Sequence, residues 1–182
     1  MRTLRVFESI SIDGYFTDAS GDMSWAHAAP DDPEFAAWVA GNAGSGSDLL
    51  FGRKTYEMMA AFWPTPMAAQ QMPEVAEGMN AATKWVASRS LQPTWQNSYQ
   101  LEGELVEAVR ALKESEGPSL TLLGSGEVAA QLGDAGLVDD YQLVVVPIVL
   151  GGGRTVFAAR RSLRLVEQRA FACGKVALTY AA

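Results

Sequence analysis

The sequence has one cysteine, Cys173, and one histidine, His27. A single cysteine cannot form an internal disulfide, and no cluster of thiolates and imidazoles is available to hold zinc. We therefore expect no metal centre of the zinc type, and any metal ion would need oxygen ligands. An unpaired cysteine is also typical of a reducing compartment, which favours a cytoplasmic location.

Long apolar runs are missing as well. The run 143–150 has eight residues and includes Pro147, whereas a membrane-spanning helix needs ~20 apolar residues. The first residues, MRTLRVFESISIDGY, alternate like a strand and reach polar positions too early for the apolar centre of a secretory signal. The sequence therefore predicts neither a membrane span nor a signal peptide.

Positive charge is scarce, because 14 Lys and Arg face 21 Asp and Glu and the formal net charge is −7. Nucleic acids and anionic membranes both bind concentrated positive charge, so we expect neither as a partner. A few local arginines can still bind a small anion. Apolar residues make up 48% of the chain, which is enough for the core of one domain spanning residues 1–182.

Strand-like and helix-like segments alternate along the chain. The amphipathic pattern predicts helices at 34–42 and 104–114, and two β-type runs around Cys173 predict a terminal hairpin. Alternation of this kind favours an α/β domain whose mostly parallel sheet has helices on both faces and an antiparallel edge. Strands are predicted at 2–11, 48–51, 84–87, 119–123, 140–150, 163–171 and 175–180.

Four of the predicted strands end in unusual residues, mostly glycine and charged side chains, at 13–14, 52–55, 88–89 and 124–126. Ligands of open α/β sheets bind at the carboxyl ends of strands. Glycine turns that open a helix expose backbone N–H groups and the positive end of the helix dipole, which suits phosphate. Arg53 and Arg89 bring further positive charge, so the pattern favours an anionic ligand with several phosphates. The alternative is that the glycines only make tight turns.

The segment 124–129 also matches the relaxed G-x-G-x-x-A dinucleotide fingerprint. It occurs late in the chain, without an acidic residue closing the next strand, so an ordinary Rossmann domain is not predicted. No P-loop is present, which argues against a kinase or NTPase. A serine hydrolase triad would have to use His27, which has no nucleophile elbow nearby.

Taken together, several segments resemble the dihydrofolate reductase-like superfamily and, within it, the RibD C-terminal group. The resemblance implies a three-layer α/β/α fold with a C-terminal hairpin, NADPH as cofactor, and hydride transfer to a pteridine or pyrimidine-type heterocycle, as in riboflavin biosynthesis. The zinc-binding deaminase set of the riboflavin enzymes is absent, which leaves the substrate open. The matching segments, in order, are 11–15, the Trp25 loop, 50–57, 86–89, 123–126 and 147–153.

The resemblance also implies roles for individual residues. Arg53 and Thr55 would hold the 2′-phosphate and pyrophosphate of NADPH, and the Gly124 turn would donate backbone N–H groups to the pyrophosphate. The implied cofactor-binding residues are Gly52, Arg53, Lys54, Thr55, Ser88, Arg89, Gly124, Ser125, Gly126, Glu127 and Val128. The implied substrate-binding residues are Asp13, Trp25, Leu150 and Gly151.

The proton donor implied by the family is a carboxylate near the first helix, for which Asp13, Asp32 and Glu34 are the candidates, with Asp31 beside them. A buried carboxyl group with a raised pKa could protonate a ring nitrogen. Asp31 and Asp32 are equally suited to capping the helix.

Two other functions remain open at this stage. The chain could be a dinucleotide-binding sensor or sequestering protein without efficient catalysis, or a scaffold that only dimerises. We expect a small-molecule ligand and a homodimer, because edge strands of the terminal hairpin are suited to pairing between subunits.

Overall fold

The computed structural model describes residues 1–27 and 31–182. The strands are β1 (Leu4–Ser11), β2 (Tyr15–Thr17), β3 (Asp48–Gly52), β4 (Lys84–Ala87), β5 (Ser98–Gln100), β6 (Leu120–Leu123), β7 (Asp140–Val146), β8 (Arg154–Thr155), β9 (Arg164–Ala170) and β10 (Val176–Ala181). The helices are a short 3-10 helix (Ser24–His27), α1 (Pro33–Ala43), α2 (Arg53–Phe62), α3 (Pro66–Gln71), α4 (Pro73–Ala81), α5 (Leu105–Glu114) and α6 (Gly126–Asp134).

Eight strands form one sheet in the order β5-β4-β3-β6-β1-β7-β10-β9. The strands from β5 to β7 are parallel, while β10 is antiparallel to both β7 and β9. Strands β2 and β8 form a separate two-stranded ribbon. The predicted α/β class, the mostly parallel sheet and the terminal antiparallel hairpin are confirmed.

Helices cover both faces of the sheet, which confirms the three-layer prediction. Successive residues of a strand point to opposite faces. Val6 therefore packs with residues of α5 and α6, while the adjacent Phe7 packs with Phe35 and Trp38 of α1. Phe51 of β3 lies with residues of α2 and α4 on the same face as α1. The sheet is thus enclosed between α5–α6 and α1–α4.

Local details differ from the sequence-based prediction where the elements are short. The proline-containing stretch 64–73 forms α3 and begins α4, each with a proline in its first turn, where a missing N–H costs nothing. Strands β2, β5 and β8 are too short to give a pattern. Every residue of the edge strand β9 is exposed. The homodimer expected through this edge stays a prediction.

The chain leaves β3 and β6 in opposite directions along the sheet. This arrangement places a crevice at the carboxyl ends of these two strands. β3 leads through α2 to α4 toward β4, while its neighbour β6 leads through α6 on the other face toward β7. Such a topological switch point opens a crevice at the carboxyl ends of the two strands. No helix in residues 1–27 and 31–182 combines the length and apolarity needed to cross a membrane.

Candidate functional site

Two helix N-termini meet at this crevice and are joined through one side chain. The Ser125 Oγ accepts a hydrogen bond from the Gly52 N–H at 2.8 Å and donates one to the Thr55 Oγ1 at 2.9 Å. Gly52 and Ser125 are the N-cap residues of α2 and α6, and neither caps its helix with a side chain. The first-turn N–H groups of both helices therefore need another acceptor. We call this arrangement of Gly52, Thr55 and Ser125 the two-helix site.

Close approach of the two turns requires glycine at two positions. A Cβ on Gly52 would lie 3.2 Å from the Ser125 Oγ, and a Cβ on Gly124 would lie 3.2 Å from the Thr55 Cγ2. Gly124 has φ +58°, and Ser125 next to it is also left-handed, with φ 62° and ψ 51°. A non-glycine residue held in this conformation costs on the order of 1–3 kcal/mol and is concentrated at functional sites. The left-handed conformation of the turn at 124–125 therefore accompanies the close contact between the N-termini of α2 and α6.

Cationic side chains directly follow the paired strands β3 and β4, with Arg53 the first residue of α2 and Arg89 in the turn after β4. Arg53 is 3.6 Å from Glu57, and both side chains are about half exposed. Arg89 is 3.1 Å from Glu104, with 86% of its side chain exposed. Exposed ion pairs of this kind contribute little to stability. Both guanidinium groups are therefore free to exchange their present partners for an anionic ligand.

The remaining predicted cofactor residues surround the same edge. Lys54 is exposed at the start of α2, and Ser88 uses its Oγ to accept the Leu91 N–H at 3.1 Å, which orders the turn after β4. On α6, Gly126 is buried and lies against the ring of Phe16. A Cβ placed on Gly126 would be 2.3 Å from that ring. Val128 packs near Gly52, and Glu127 is 3.2 Å from Arg154.

Asp13 connects two loops at the carboxyl ends of β1 and β7. Its exposed carboxylate accepts the N–H of Leu150 at 3.1 Å and the N–H of Gly151 at 2.7 Å. The Ser11 hydroxyl, followed by these two backbone groups, lowers the pKa of Asp13. The carboxylate therefore stays ionised at neutral pH, which suits a loop anchor better than a proton donor.

Aromatic side chains gather on the α1 face of the sheet, beside these loops. Trp25 is buried against Val144 and Val146, and its Nε1 donates to the Asp22 carbonyl at 3.2 Å. Trp38 lies 6.0 Å from Phe7 and 5.9 Å from Phe35, measured between ring centroids. Phe35 and Trp38 also pack against Phe171, so the rings form a half-buried apolar cluster beside the loops.

The carboxylates at the first helix have structural partners. Asp32 caps α1 by accepting the N–H groups of Glu34 and Phe35 at 2.9 and 3.0 Å, and it also accepts the Cys173 N–H at 2.9 Å. These bonds, that of Phe35 first, lower the pKa of Asp32. Glu34 is exposed and pairs with Arg169 at 2.7 Å. Asp32 therefore caps the first helix, as the alternative interpretation predicted. Its lowered pKa is the opposite of the raised pKa that a buried proton donor would have.

The buried carboxyl with a raised pKa is Glu8, which the sequence analysis did not single out. Glu8 lies on β1, is 3% exposed, and has a pKa raised from 4.5 to about 8 by burial. Its Oε2 has no hydrogen-bond partner in the described structure and would lie 3.9 Å from a Cβ placed on Gly124. An acidic residue at an inward position between Val6 and Ile10 was the available sequence signal.

The predicted residues thus form two groups, and both groups lie at the carboxyl ends of the parallel strands. The cofactor group lies over β3, β4 and β6, and the substrate group lies over β1 and β7. Two open depressions of about 530 and 450 Å³ lie elsewhere, between α1 and α4 and beside Trp95. Neither is lined by a predicted site residue.

Comparison with known proteins agrees with the fold. Over 98% of both chains, the fold matches the structure of a putative riboflavin biosynthesis protein from Shewanella sp. PV-4, with a TM-score of 0.72 and 22% identity. A pyrimidine reductase-like protein from Corynebacterium diphtheriae matches over 99% of this chain and 91% of its own, with a TM-score of 0.61 and 14% identity. The chain therefore has the dihydrofolate reductase-like fold.

Sequence comparison is consistent with the structural matches. The uncharacterized protein YyaP of Bacillus subtilis is 24% identical over 177 residues, which cover 94% of this chain and 90% of that protein. The family model described as the RibD C-terminal domain matches residues 2–178. The chain belongs to the RibD C-terminal domain family.

Proposed function

We propose that this protein is an NADPH-dependent reductase of a planar pteridine or pyrimidine-type heterocycle. The observation that carries the proposal is the two-helix site, where two helix N-termini without side-chain caps converge at the switch point of the sheet. Backbone N–H groups and aligned helix dipoles favour a phosphate-bearing ligand at such a place. Family membership and the reductase-like structural neighbours support the same reading.

The residues of the site fit a dinucleotide phosphate. The first turns of α2 and α6 have no side-chain cap, so their backbone N–H groups are available to phosphate oxygens. In this proposal, first-turn N–H groups of α2 and α6 bind the pyrophosphate, and Arg53 binds the 2′-phosphate. When bound, the nicotinamide supplies the hydride.

The substrate end of the site is proposed on the aromatic face. Trp38 and Phe35 offer stacking surfaces, and Asp13 fixes the 150–151 loop beside them. A planar ring held there lies at the same sheet edge as the cofactor residues, as hydride transfer requires. Asp32 and Glu34 remain candidates for contacts with the substrate, although neither is buried.

The proposal is tested by changing Arg53→Ala and comparing NADPH with NADH. Loss of a charge-assisted hydrogen bond to the 2′-phosphate should weaken NADPH binding roughly 10- to 100-fold and leave NADH binding unchanged. Arg110→Ala on α5, an exposed arginine 3.8 Å from Glu107, is the matched control. Equal loss of affinity for both cofactors would contradict the assignment of Arg53.

One observation favours a second function, a dinucleotide-binding protein without efficient catalysis. The carboxylates of Asp13 and Asp32 have lowered pKa values and are occupied by backbone N–H groups, so neither is prepared to donate a proton. Steady-state oxidation of NADPH with dihydrofolate or pyrimidine substrates distinguishes the two. Tight cofactor binding without turnover on any of them would favour the binding protein.

A further inference from the structure

Glu8 lies at the two-helix site, although on the opposite face of β1 from the aromatic cluster. Its neighbours on the same face of β1, Val6 and Ile10, pack into the core formed with α5 and α6. The Oε1 accepts only the N–H of Ser9, at 3.2 Å, and the Oε2 has no partner within the described chain. The Oε2 points toward Gly124, whose N–H is bound to the Phe7 carbonyl at 3.1 Å.

A buried carboxyl oxygen without a partner calls for an explanation, because such groups are normally satisfied. Glu8 is too well buried to be an exposed surface charge, and no cationic side chain among residues 1–27 and 31–182 pairs with it. Packing alone would be served by an apolar residue such as those that flank it. The Glu8 Oε2 and the Thr55 side chain both lie within 4 Å of a Cβ placed on Gly124, which puts the carboxyl group near the N-terminus of α6.

Several charged groups on the neighbouring elements are paired with one another. Arg53 faces Glu57 on α2, and Glu127 of α6 faces Arg154 of β8. β6 carries no ionisable side chain. The ionisable groups on the elements around Glu8 are Arg5 on β1, Tyr15 on β2, Arg53, Lys54, Tyr56 and Glu57 on α2, Glu107, Arg110, Lys113 and Glu114 on α5, Glu127 and Asp134 on α6, Asp140 and Tyr141 on β7, and Arg154 on β8.

We propose that Glu8 controls ligand binding at the two-helix site through its charge. The neutral carboxylic acid permits an anion at the N-termini of α2 and α6, and the carboxylate opposes it. A negative charge under the turn repels the phosphates and cancels part of the helix-dipole field, in a medium that screens poorly. Glu8 is thus a regulating residue rather than a catalytic one. The inference rests on the proposed binding of a dinucleotide phosphate.

The size of the effect follows from the population of the neutral form. With burial raising the pKa of Glu8 to about 8, about nine-tenths of the protein is neutral at about pH 7 and about one-tenth at about pH 9. Apparent affinity falls in proportion to the competent fraction, so NADPH binding should weaken about tenfold across this interval. The 2′-phosphate, with a second pKa of about 6, is already dianionic throughout.

The experiment measures the dissociation constant of NADPH from about pH 6.5 to about pH 9.5 for the wild type, Glu8→Gln and Glu107→Gln. Glutamine imitates the neutral acid, so Glu8→Gln should bind like the wild type at low pH and show no weakening at high pH. Glu107, an exposed carboxylate on α5, provides the matched control and should follow the wild type. Burial also lowers the pKa of Lys84 to about 8, but an effect of Lys84 would persist in Glu8→Gln.

Each outcome has one meaning. A wild-type affinity that falls about tenfold, with a flat profile in Glu8→Gln, establishes the inference. A flat wild-type profile, or the same fall in both proteins, overturns it while leaving the proposed function intact. Absence of NADPH binding by the wild type and by Glu107→Gln at every pH overturns the proposed function, and the inference falls with it.

Discussion

Replacing Glu8 with glutamine should remove a large pH dependence of folding stability. Burial raises the pKa of Glu8 from 4.5 to about 8, so the folded protein holds this proton more tightly than the unfolded chain does. The stability that Glu8 contributes is therefore complete below the unfolded pKa and is lost as the pH rises toward the folded value. At about 1.4 kcal/mol per pKa unit, the loss between about pH 5.5 and about pH 8 is roughly 3 kcal/mol.

The assay is urea unfolding of both proteins at intervals from about pH 5.5 to about pH 9. The difference in unfolding free energy between Glu8→Gln and the wild type should grow by roughly 3 kcal/mol across the interval and level off above about pH 8. Taking the difference cancels the titration of all other groups. Parallel curves for the two proteins would show that Glu8 is not a buried acid with a raised pKa and would refute the reasoning.

Two further changes test the loops of the site. Ser125→Ala removes the hydroxyl that binds the Gly52 N–H and Thr55, so unfolding should become easier by about 1–3 kcal/mol and NADPH should bind more weakly; unchanged values for both would show that the helix junction needs no hydroxyl. Asp13→Ala removes the acceptor for the N–H groups of Leu150 and Gly151, so hydrogen exchange at these two amides should accelerate while amides within β7 keep their rates. Unaltered exchange at 150–151 would contradict the anchoring role.

Much of the fold was predictable because it depends on local periodicity. The alternation of β1 and the amphipathic pattern of α5 both follow from which side chains face the core. The order of strands in the sheet does not follow in this way. β3 lies beside β6 through contacts that are distant in sequence, and no local pattern records them. Strands of two or three residues, such as β8, are also too short to produce a period.

The candidate site likewise has a part that local sequence patterns predict and a part that they do not. Turns at 52–55 and 124–126 were predictable, because glycine at a strand end followed by a helix is itself the signal. The role of Asp32 was not, because the same residue before a proline serves a cap or a binding site equally well. The raised pKa of Glu8 could not be predicted from the sequence. It depends on burial and on the missing partner of the Oε2 in the described residues, which only the packed structure shows.

The most direct test is titration of the purified protein with NADPH and with NADH, followed through the fluorescence of its five tryptophans. Saturable binding of both, with NADPH clearly preferred, is the expected result, because in the proposed function Arg53 binds the additional phosphate. No saturable binding of either cofactor would contradict both the reductase and the dinucleotide-binding function. In that case the crevice between β3 and β6 would not be a dinucleotide-binding site.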